Sequence, residues 1–496
     1  MQNNVCLILE GSYPYVSGGV SSCVHQLIKG LPDHRFSLVY VGTSESTKKG
    51  IQYQLPFNVL SLDHCYLFKP NQQIKRRTGF AQIDLAPLDL LRQTLLNTYD
   101  SSIGSLGWLT NQHSGIGADY WQRLLQNVGS KKLWDFMLDD YKQFCDKVPF
   151  ADFTYIWHST YLPIIRLLAY RCPQAKVYHS LCTGYAGLLA QSAALKNGGR
   201  TILTEHGLYD YERRLDIASS KWMEFDGEFV ANNATIQIKR WWDRVFTNIS
   251  RIAYSNFDRV VTLHEKNHAY QIKSGAPESR TEILSNGLGR RFSGIRRQLG
   301  VWEGSTGKFR IGFVGRVVPI KDIKCLIIAI DNLLHAGNNI ECFIIGPTDE
   351  DPDYYLSCCE MVNTLNLQNT IHFTGPMRAE AAYQKIDCLV LTSISESQPL
   401  VILEASSAGL PVVTTDVGAC EEMINGRTIE DKKLGPSGLL AQAGNPDSVS
   451  REITKLIKDP ILWAQLSDNG MKRIDLHYDE NYLFRRYRSL YTKLSA

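Results

Sequence analysis

Short apolar runs alternate with helix-period stretches along this chain, and the alternation occurs in both halves. Strands that are apolar on both faces are buried only when helices cover both sides of a parallel sheet, so the pattern predicts an α/β protein with two such sheets. In the first half residues 5–9, 36–41, 155–157, 176–178, 201–204 and 259–263 read as strands, and 20–30 as a helix. In the second half 309–314, 342–345, 371–373, 388–392 and 412–414 read as strands. Residues 322–335 set Ile323, Leu326, Ile327, Ile330, Leu333 and Leu334 at the spacing of an amphipathic helix, ended by Gly337.

A length of 496 residues exceeds one ordinary core. The polar segment 292–308 reads as a linker. It separates an N-terminal domain, 1–291, with an irregular insertion at about 43–150, from a C-terminal domain, 309–478. A last helical pattern within 479–496 is placed to return to the N-terminal domain. The insertion carries the basic patch Lys75-Arg76-Arg77, but a net charge of +3 with no long basic block gives no electrostatic case for nucleic acid. Twelve cysteines, single except for Cys358-Cys359 and without C-x-x-C spacing, read as reduced thiols of a cytoplasmic protein. The first residues lack a basic region and a full apolar run, and no apolar stretch approaches the roughly 20 residues of a membrane span. Any membrane role is therefore expected to go through partners.

Parallel sheets bind ligands at the carboxyl ends of their strands, and the candidate chemistry falls there. After the run 388–392 comes Glu396-Ser-Gln-Pro-Leu-Val-Ile-Leu-Glu404, a loop leading into a helix that ends at Gly409. Glu396 precedes the helix and Glu404 lies about one turn inside it. The free amides near Leu400 and Val401 favour a phosphate, and an acid within the helix suits a pair of ribose hydroxyls. After 309–314 stand Gly315-Arg316 and Lys321, two cations suited to a diphosphate and to the charge that develops as it departs. Phe373-Thr-Gly375-Pro376 is a turn with backbone groups to offer. In the first half, Ser17-Gly18-Gly19 allows close backbone approach. Thr204-Glu205-His206-Gly207 sets a histidine beside an acid at a strand end. Taken singly, each of these has an ordinary reading as a turn, a solvated charge or a structural histidine.

Together they resemble the retaining glycosyltransferases of family GT4, which have the GT-B fold of two Rossmann-like domains facing across a cleft. Gly315-Arg316 with Lys321, the Gly375-Pro376 turn, the Glu396 and Glu404 pair, and Gly409-Leu-Pro-Val-Val-Thr-Thr-Asp-Val-Gly418 come in that family's order over most of 309–442. Three further stretches are similar to the PelF group, the cytosolic glycosyltransferases of Pel exopolysaccharide synthesis. They are Leu9-Glu-Gly-Ser-Tyr-Pro-Tyr-Val-Ser-Gly-Gly-Val-Ser-Ser22, Tyr178-His-Ser-Leu-Cys-Thr-Gly-Tyr-Ala-Gly-Leu188 and Leu203-Thr-Glu-His-Gly-Leu-Tyr209.

The resemblance implies that Arg316 and Lys321 hold the diphosphate of a UDP-sugar and that Glu404 holds its ribose. It puts Glu396 at the donor sugar, Leu400 and Val401 amides on the phosphates, and His206 and Gly19 on the sugar and phosphate or acceptor from the other domain. It implies no metal and no resident cofactor. The expected partners are a polysaccharide acceptor and inner-membrane synthase or export proteins. Ser397-Gln398 departs from the Gly-aromatic pair common after the first Glu in that family, and Val16-Ser17 departs from the Lys that precedes Gly-Gly in starch and glycogen synthases. A UDP-sugar epimerase and a non-catalytic nucleotide-sugar-binding subunit use the same fold and stay as alternatives.

Overall fold

A computed structural model describes residues 4–16, 18–47, 50–68, 83–96, 117–220, 230–296, 300, 302–304 and 307–496. Ser17, the patch Lys75-Arg76-Arg77 and parts of segment 292–308 lie outside the described residues. The chain divides into two compact units. One is Met1–Thr262 with Asn267–Ile283 and Arg486–Ala496, and the other is Leu263–Lys266 with Leu284–Arg485.

The first unit is built on seven parallel strands: β1 (Asn4–Glu10), β2 (Arg35–Gly42), β3 (Val59–Tyr66), β4 (Val177–Ser180), β5 (Arg200–Glu205), β6 (Arg259–Thr262) and β7 (Thr281–Ile283). Their order is β3-β2-β1-β4-β5-β6-β7. The chain lays strands outward from β1, then returns to β1's other side, so the order reverses between β1 and β4. That reversal is where open α/β sheets take up ligands. The five central residues of β1, Val5 to Leu9, are wholly buried, as a strand covered on both faces requires.

The second unit has six parallel strands: β8 (Phe309–Val314), β9 (Ile340–Ile345), β10 (Ile371–Gly375), β11 (Cys388–Leu391), β12 (Val412–Thr415) and β13 (Gly438–Ala441). They run in the order β10-β9-β8-β11-β12-β13. Here the reversal falls between β8 and β11. It brings the loop after β8, with Arg316 and Lys321, beside the loop after β11, with Glu396. The expected amphipathic helix forms at Ile323–His335, with the Asp322 carboxylate accepting from the Cys325 amide at its start.

Residues 155–157, expected as a strand, lie inside the helix Phe150–Ala169. Tyr-Ile-Trp has local strand character, but Phe153, Ile156, Trp157, Thr160, Tyr161 and Ile164 recur at helical spacing and form the buried face, leaving Tyr155 68% exposed. The stretch read as an irregular insertion supplies β3, an edge strand with polar Ser61, Asp63 and His64 among its residues. β7 and β13, only 3 and 4 residues long, were also absent from the expected set. The described start of the segment read as a linker, 292–296, bonds to the end of the helix Leu400–Ala408. The Gly294 and Arg296 amides donate to the Ser407 and Ala408 carbonyls, and buried Arg296 pairs with Asp387 at 2.5 Å. All twelve cysteines are free thiols. Among the described residues no helix is long and apolar enough to cross a membrane.

Inside the first unit, the part of the terminal helix Glu480–Ser495 from Arg486 onward is fastened through buried His179 of β4. Its Nδ1 bonds the Tyr491 hydroxyl at 2.7 Å and its Nε2 bonds Thr204 Oγ1 at 2.8 Å, and Tyr487 reaches the same Oγ1 at 2.9 Å. Burial holds the imidazole pKa down to about 3, against 6.5 in the unfolded chain. A group whose folded pKa is depressed binds its proton only when the chain unfolds, so its stabilisation is full above pH 6.5 and is lost as pH falls toward 3. The loss amounts to roughly 5 kcal/mol. Denaturant midpoints measured across that window should fall more steeply for the wild type than for His179→Gln; identical pH profiles would remove His179 as the cause.

Candidate functional site

The loops at the β8/β11 reversal are tied to each other before any ligand is considered. Thr392 Oγ1 donates to the carbonyls of Lys321 at 3.0 Å and Asp322 at 2.9 Å, and the Ile394 amide donates to the Ile320 carbonyl at 2.9 Å. On this frame Lys321 Nζ donates to Glu396 Oε1 at 2.5 Å, and Ser393 Oγ donates to the same oxygen at 2.7 Å. The Lys321 and Glu396 side chains are only 19% and 11% exposed, so the pair is less screened than a surface ion pair. Arg316 pairs with Glu350 in the loop after β9 and is 43% exposed. The β8 and β9 loops meet backbone to backbone: the Gly315 amide donates to Ile345, and a Cβ on Gly346 would lie 1.9 Å from the Gly315 carbonyl oxygen.

A third loop, after β12, backs Glu396. Thr415 Oγ1 donates to the Ser393 carbonyl at 2.6 Å, and the Ala419 amide donates to the Ser397 carbonyl at 2.8 Å. Gly418, at φ +54°, sits so close that a Cβ would lie 1.8 Å from the Glu396 carbonyl oxygen. Gln398, the residue that departs from the family pattern, accepts from the Asn286 amide at 2.7 Å and so anchors the same loop.

The helix Leu400–Ala408 starts after Pro399 with no side-chain cap and ends at Gly409 in the left-handed region. The amides of Leu400 and Val401 are the first of the helix and have no intrahelical acceptor, which leaves a positive terminus where the Glu396 loop enters the helix. Glu404 is half-buried one turn on. Burial pushes its carboxyl pKa up, opposed by the Tyr383 hydroxyl, which donates to Oε2 at 2.6 Å. The turn at Gly375 and Pro376 is joined to the β9 loop by the Gly346 amide, which donates to the Gly375 carbonyl at 3.0 Å. Among the described residues no hydrogen bond joins that turn to Glu396 or Glu404.

Of the residues singled out by sequence, the second unit thus brings Lys321 and Glu396 into contact, with Leu400 and Val401 opening the helix that follows the Glu396 loop. Arg316 with Gly315 shares the loop of Lys321 but pairs with Glu350 in the loop after β9, Glu404 lies one helical turn in, and Gly375 with Pro376 farther along the sheet. Gly19 and His206 belong to the first unit. Gly19 opens the helix Gly19–Gly30 and is exposed, and a Cβ added to it would meet nothing within 4 Å, so packing alone does not demand a glycine there. His206 is half-buried just past β5, and burial holds its pKa down to about 4, which keeps the ring neutral near pH 7.

Its neighbour Glu205 does not serve it. That carboxylate accepts from the Tyr254 hydroxyl at 2.6 Å, Gln271 Nε2 at 2.8 Å, Thr183 Oγ1 at 3.2 Å and the Tyr209 amide at 3.3 Å. Burial pushes its pKa up to about 7. Sequence reading missed Ser393, Glu350, Tyr383 and Gly418. The acidic run Asp349-Glu350-Asp351 after a strand was a usable signal for one of them, whereas Tyr383 lies in a separate helix with no local mark.

Two family descriptions match the chain: "Domain of unknown function (DUF3492)" over residues 3–279 and "Glycosyl transferases group 1" over residues 297–473. Among curated proteins it is similar to the capsular polysaccharide biosynthesis glycosyltransferase CapM of Staphylococcus aureus, at 27% identity over 37% of this chain and 46% of CapM. It is also similar to the N,N'-diacetylbacillosaminyl-diphospho-undecaprenol alpha-1,3-N-acetylgalactosaminyltransferase of Campylobacter jejuni, at 30% identity over 30% of this chain and 36% of that protein. The matches therefore span about half or less of those relatives. In solved structures the whole fold recurs. Sucrose-phosphate synthase of Thermosynechococcus elongatus has a TM-score of 0.58 at 15% identity, covering 99% of each chain. Anabaena HepE, solved with UDP and glucose, has a TM-score of 0.57 at 15% identity over 98% of this chain and 99% of that one. The architecture is GT-B.

Proposed function

We propose that this chain, which belongs to the DUF3492 family and carries a group 1 glycosyl transferase domain, is a retaining, metal-independent hexosyltransferase. It takes its sugar from a UDP-sugar and passes it to a growing exopolysaccharide of the Pel type. The observation that carries this reading is the Lys321–Glu396 pair at the reversal between β8 and β11, in the loop that runs on into the uncapped helix Leu400–Ala408. A cation, a fixed carboxylate and free amides within one locked set of loops suit a sugar diphosphate better than any other common ligand.

In this reading the donor diphosphate lies between Lys321, Arg316 and the amides of Leu400 and Val401, exchanging the carboxylates of Glu396 and Glu350 for its own oxygens. Glu404, oriented by Tyr383, accepts from the ribose hydroxyls. As the bond from the anomeric carbon to the diphosphate oxygen breaks, negative charge grows on the diphosphate and is met by the two cations and the helix terminus. The acceptor hydroxyl oxygen bonds to the anomeric carbon on the face being vacated, and its proton passes to the departing phosphate oxygen. Glu396, released from Lys321, faces the sugar. Neutral His206 is suited to accept or donate a hydrogen bond to a sugar hydroxyl, and Gly19 leaves backbone open to phosphate or acceptor. The protein works in the cytoplasm without a resident cofactor, and any membrane association comes through synthase or export partners. HepE's bound UDP and glucose and CapM's capsular role support the class of donor and product.

NMR of the purified protein with UDP-glucose, UDP-N-acetylglucosamine or UDP-N-acetylgalactosamine, in EDTA, with and without an oligosaccharide acceptor (maltohexaose or chitohexaose), tests the proposal. Consumption of one donor with a product of the donor's own anomeric configuration is expected. An inverted product, or an epimerised UDP-sugar formed without acceptor, would overturn it in favour of another mechanism or of the epimerase.

A further inference from the structure

The carboxyl edge of β1, β2 and β3 in the first unit is built from aromatic rings with polar tips, and nothing in the donor chemistry uses them. The loop after β1 sends Tyr13 and Tyr15 into two ring groups. The Tyr13 hydroxyl bonds His25 Nδ1 at 3.1 Å, and the rings of Tyr13, His25 and Tyr53 lie with centroids 5.2–5.8 Å apart. The Tyr15 hydroxyl bonds His64 Nε2 at 2.6 Å, and its ring meets Tyr40 edge-on at 4.8 Å. His64 and Tyr66, two residues apart and so on one face of edge strand β3, stack at 5.7 Å with planes 16° apart. Gly42 makes this arrangement possible. It pairs with Tyr66, and a Cβ there would lie 2.5 Å from the Tyr40 ring and 3.3 Å from the Tyr66 ring.

Burial divides these rings by task. Tyr13 and Tyr15 are buried, and each spends its hydroxyl on fixing an imidazole. His25, Tyr53, His64 and Tyr66 are half-buried, and Phe68 just beyond the strand is 39% exposed. A core alone would be filled as well by aliphatic side chains without polar tips to satisfy. Rings held by a supporting layer, partly open, at the end of a parallel sheet where ligands bind, form a preorganised surface. Its chemistry, flat apolar faces rimmed by phenol and imidazole, matches a pyranose, which has apolar C–H faces and a rim of hydroxyls.

We infer that this ring cluster is a saccharide subsite that holds sugar units of the acceptor chain, stacked on Tyr53 and on the His64–Tyr66 pair. The word acceptor rests on the transferase reading; saccharide binding itself does not. Titration calorimetry of maltohexaose and chitohexaose, with UDP titrated into the same samples, tests it on the wild type, Tyr53→Ala, Tyr66→Ala and Tyr66→Phe. At least one hexasaccharide should bind the wild type, about ten-fold or more weakly to each alanine variant, with Tyr66→Phe near wild type and UDP affinity unchanged throughout. UDP binding reports on folding, and either alanine variant that retains it is sufficient for the comparison. Failure of both hexasaccharides to bind the wild type overturns the inference, as do alanine variants that bind them normally. Loss of UDP affinity with saccharide affinity intact would assign the rings to a nucleobase and overturn it too. A wild type that binds a hexasaccharide but not UDP would leave this subsite standing and remove the transferase reading.

Discussion

Lys321→Ala should lower turnover at saturating donor by about 10²–10³-fold, with the fold retained. The size follows from removing one preorganised cation from a partly water-excluded site where charge develops, a loss of about 3–4 kcal/mol. The fold is spared because the contacts that lock the loops use the Lys321 carbonyl and not its side chain: Thr392 donates to that carbonyl, and Ile394 to its neighbour's. Removing the ammonium leaves the partly buried Glu396 carboxylate with Ser393 as its remaining hydrogen-bond donor, adding a charge where the diphosphate must sit. Lys321→Arg should recover little, since a planar guanidinium cannot occupy a position shaped for a compact ammonium. Initial rates of UDP release settle the matter; turnover near wild type in Lys321→Ala would remove this residue from the chemistry.

Gly418→Ala should be as damaging from a position that touches no substrate. Its Cβ would fall 1.8 Å from the Glu396 carbonyl oxygen and 2.8 Å from that of Ser397, both backbone atoms with no rotamer to change. The left-handed φ of +54° adds about 1–2 kcal/mol for an L-residue. The Glu396–Ser397 segment must therefore move by an ångström or so, and a displacement of that size at a reacting centre costs on the order of 10²-fold. Gly337→Ala is the control. It also has positive φ, +82°, but its Cβ meets nothing within 4 Å, so it should lose a little stability and no activity. Equal activity of the two variants would show that the β12 loop does not position Glu396.

The second unit was the more legible half because its central strands are buried on both faces and read as unbroken apolar runs. Helix Ile323–His335 was equally plain from its period. Strand order was not written locally. Nothing in residues 309–321 says that β8 lies beside β11, yet that adjacency joins Lys321 to Glu396. Strand β3 was missed because an edge strand with Ser61, Asp63 and His64 lacks the apolar run. Residues 155–157 were misread because three residues of strand character weigh less than the period of the 20-residue helix around them. Tyr383 and Gly418 act across the fold on Glu404 and Glu396, and such contacts carry no mark in the segment that makes them. The aromatic residues of the first unit were visible as letters, but their grouping depends on the β2–β3 register and on the space left by Gly42.

Calorimetric titration of UDP into the protein in EDTA, with Glu404→Ala alongside, tests the central assignment most directly. Saturable one-site binding to the wild type, weakened about ten-fold in Glu404→Ala through loss of a charged hydrogen-bond acceptor, is the expected result. No binding of UDP to the wild type, or equal affinity in the variant, would contradict it.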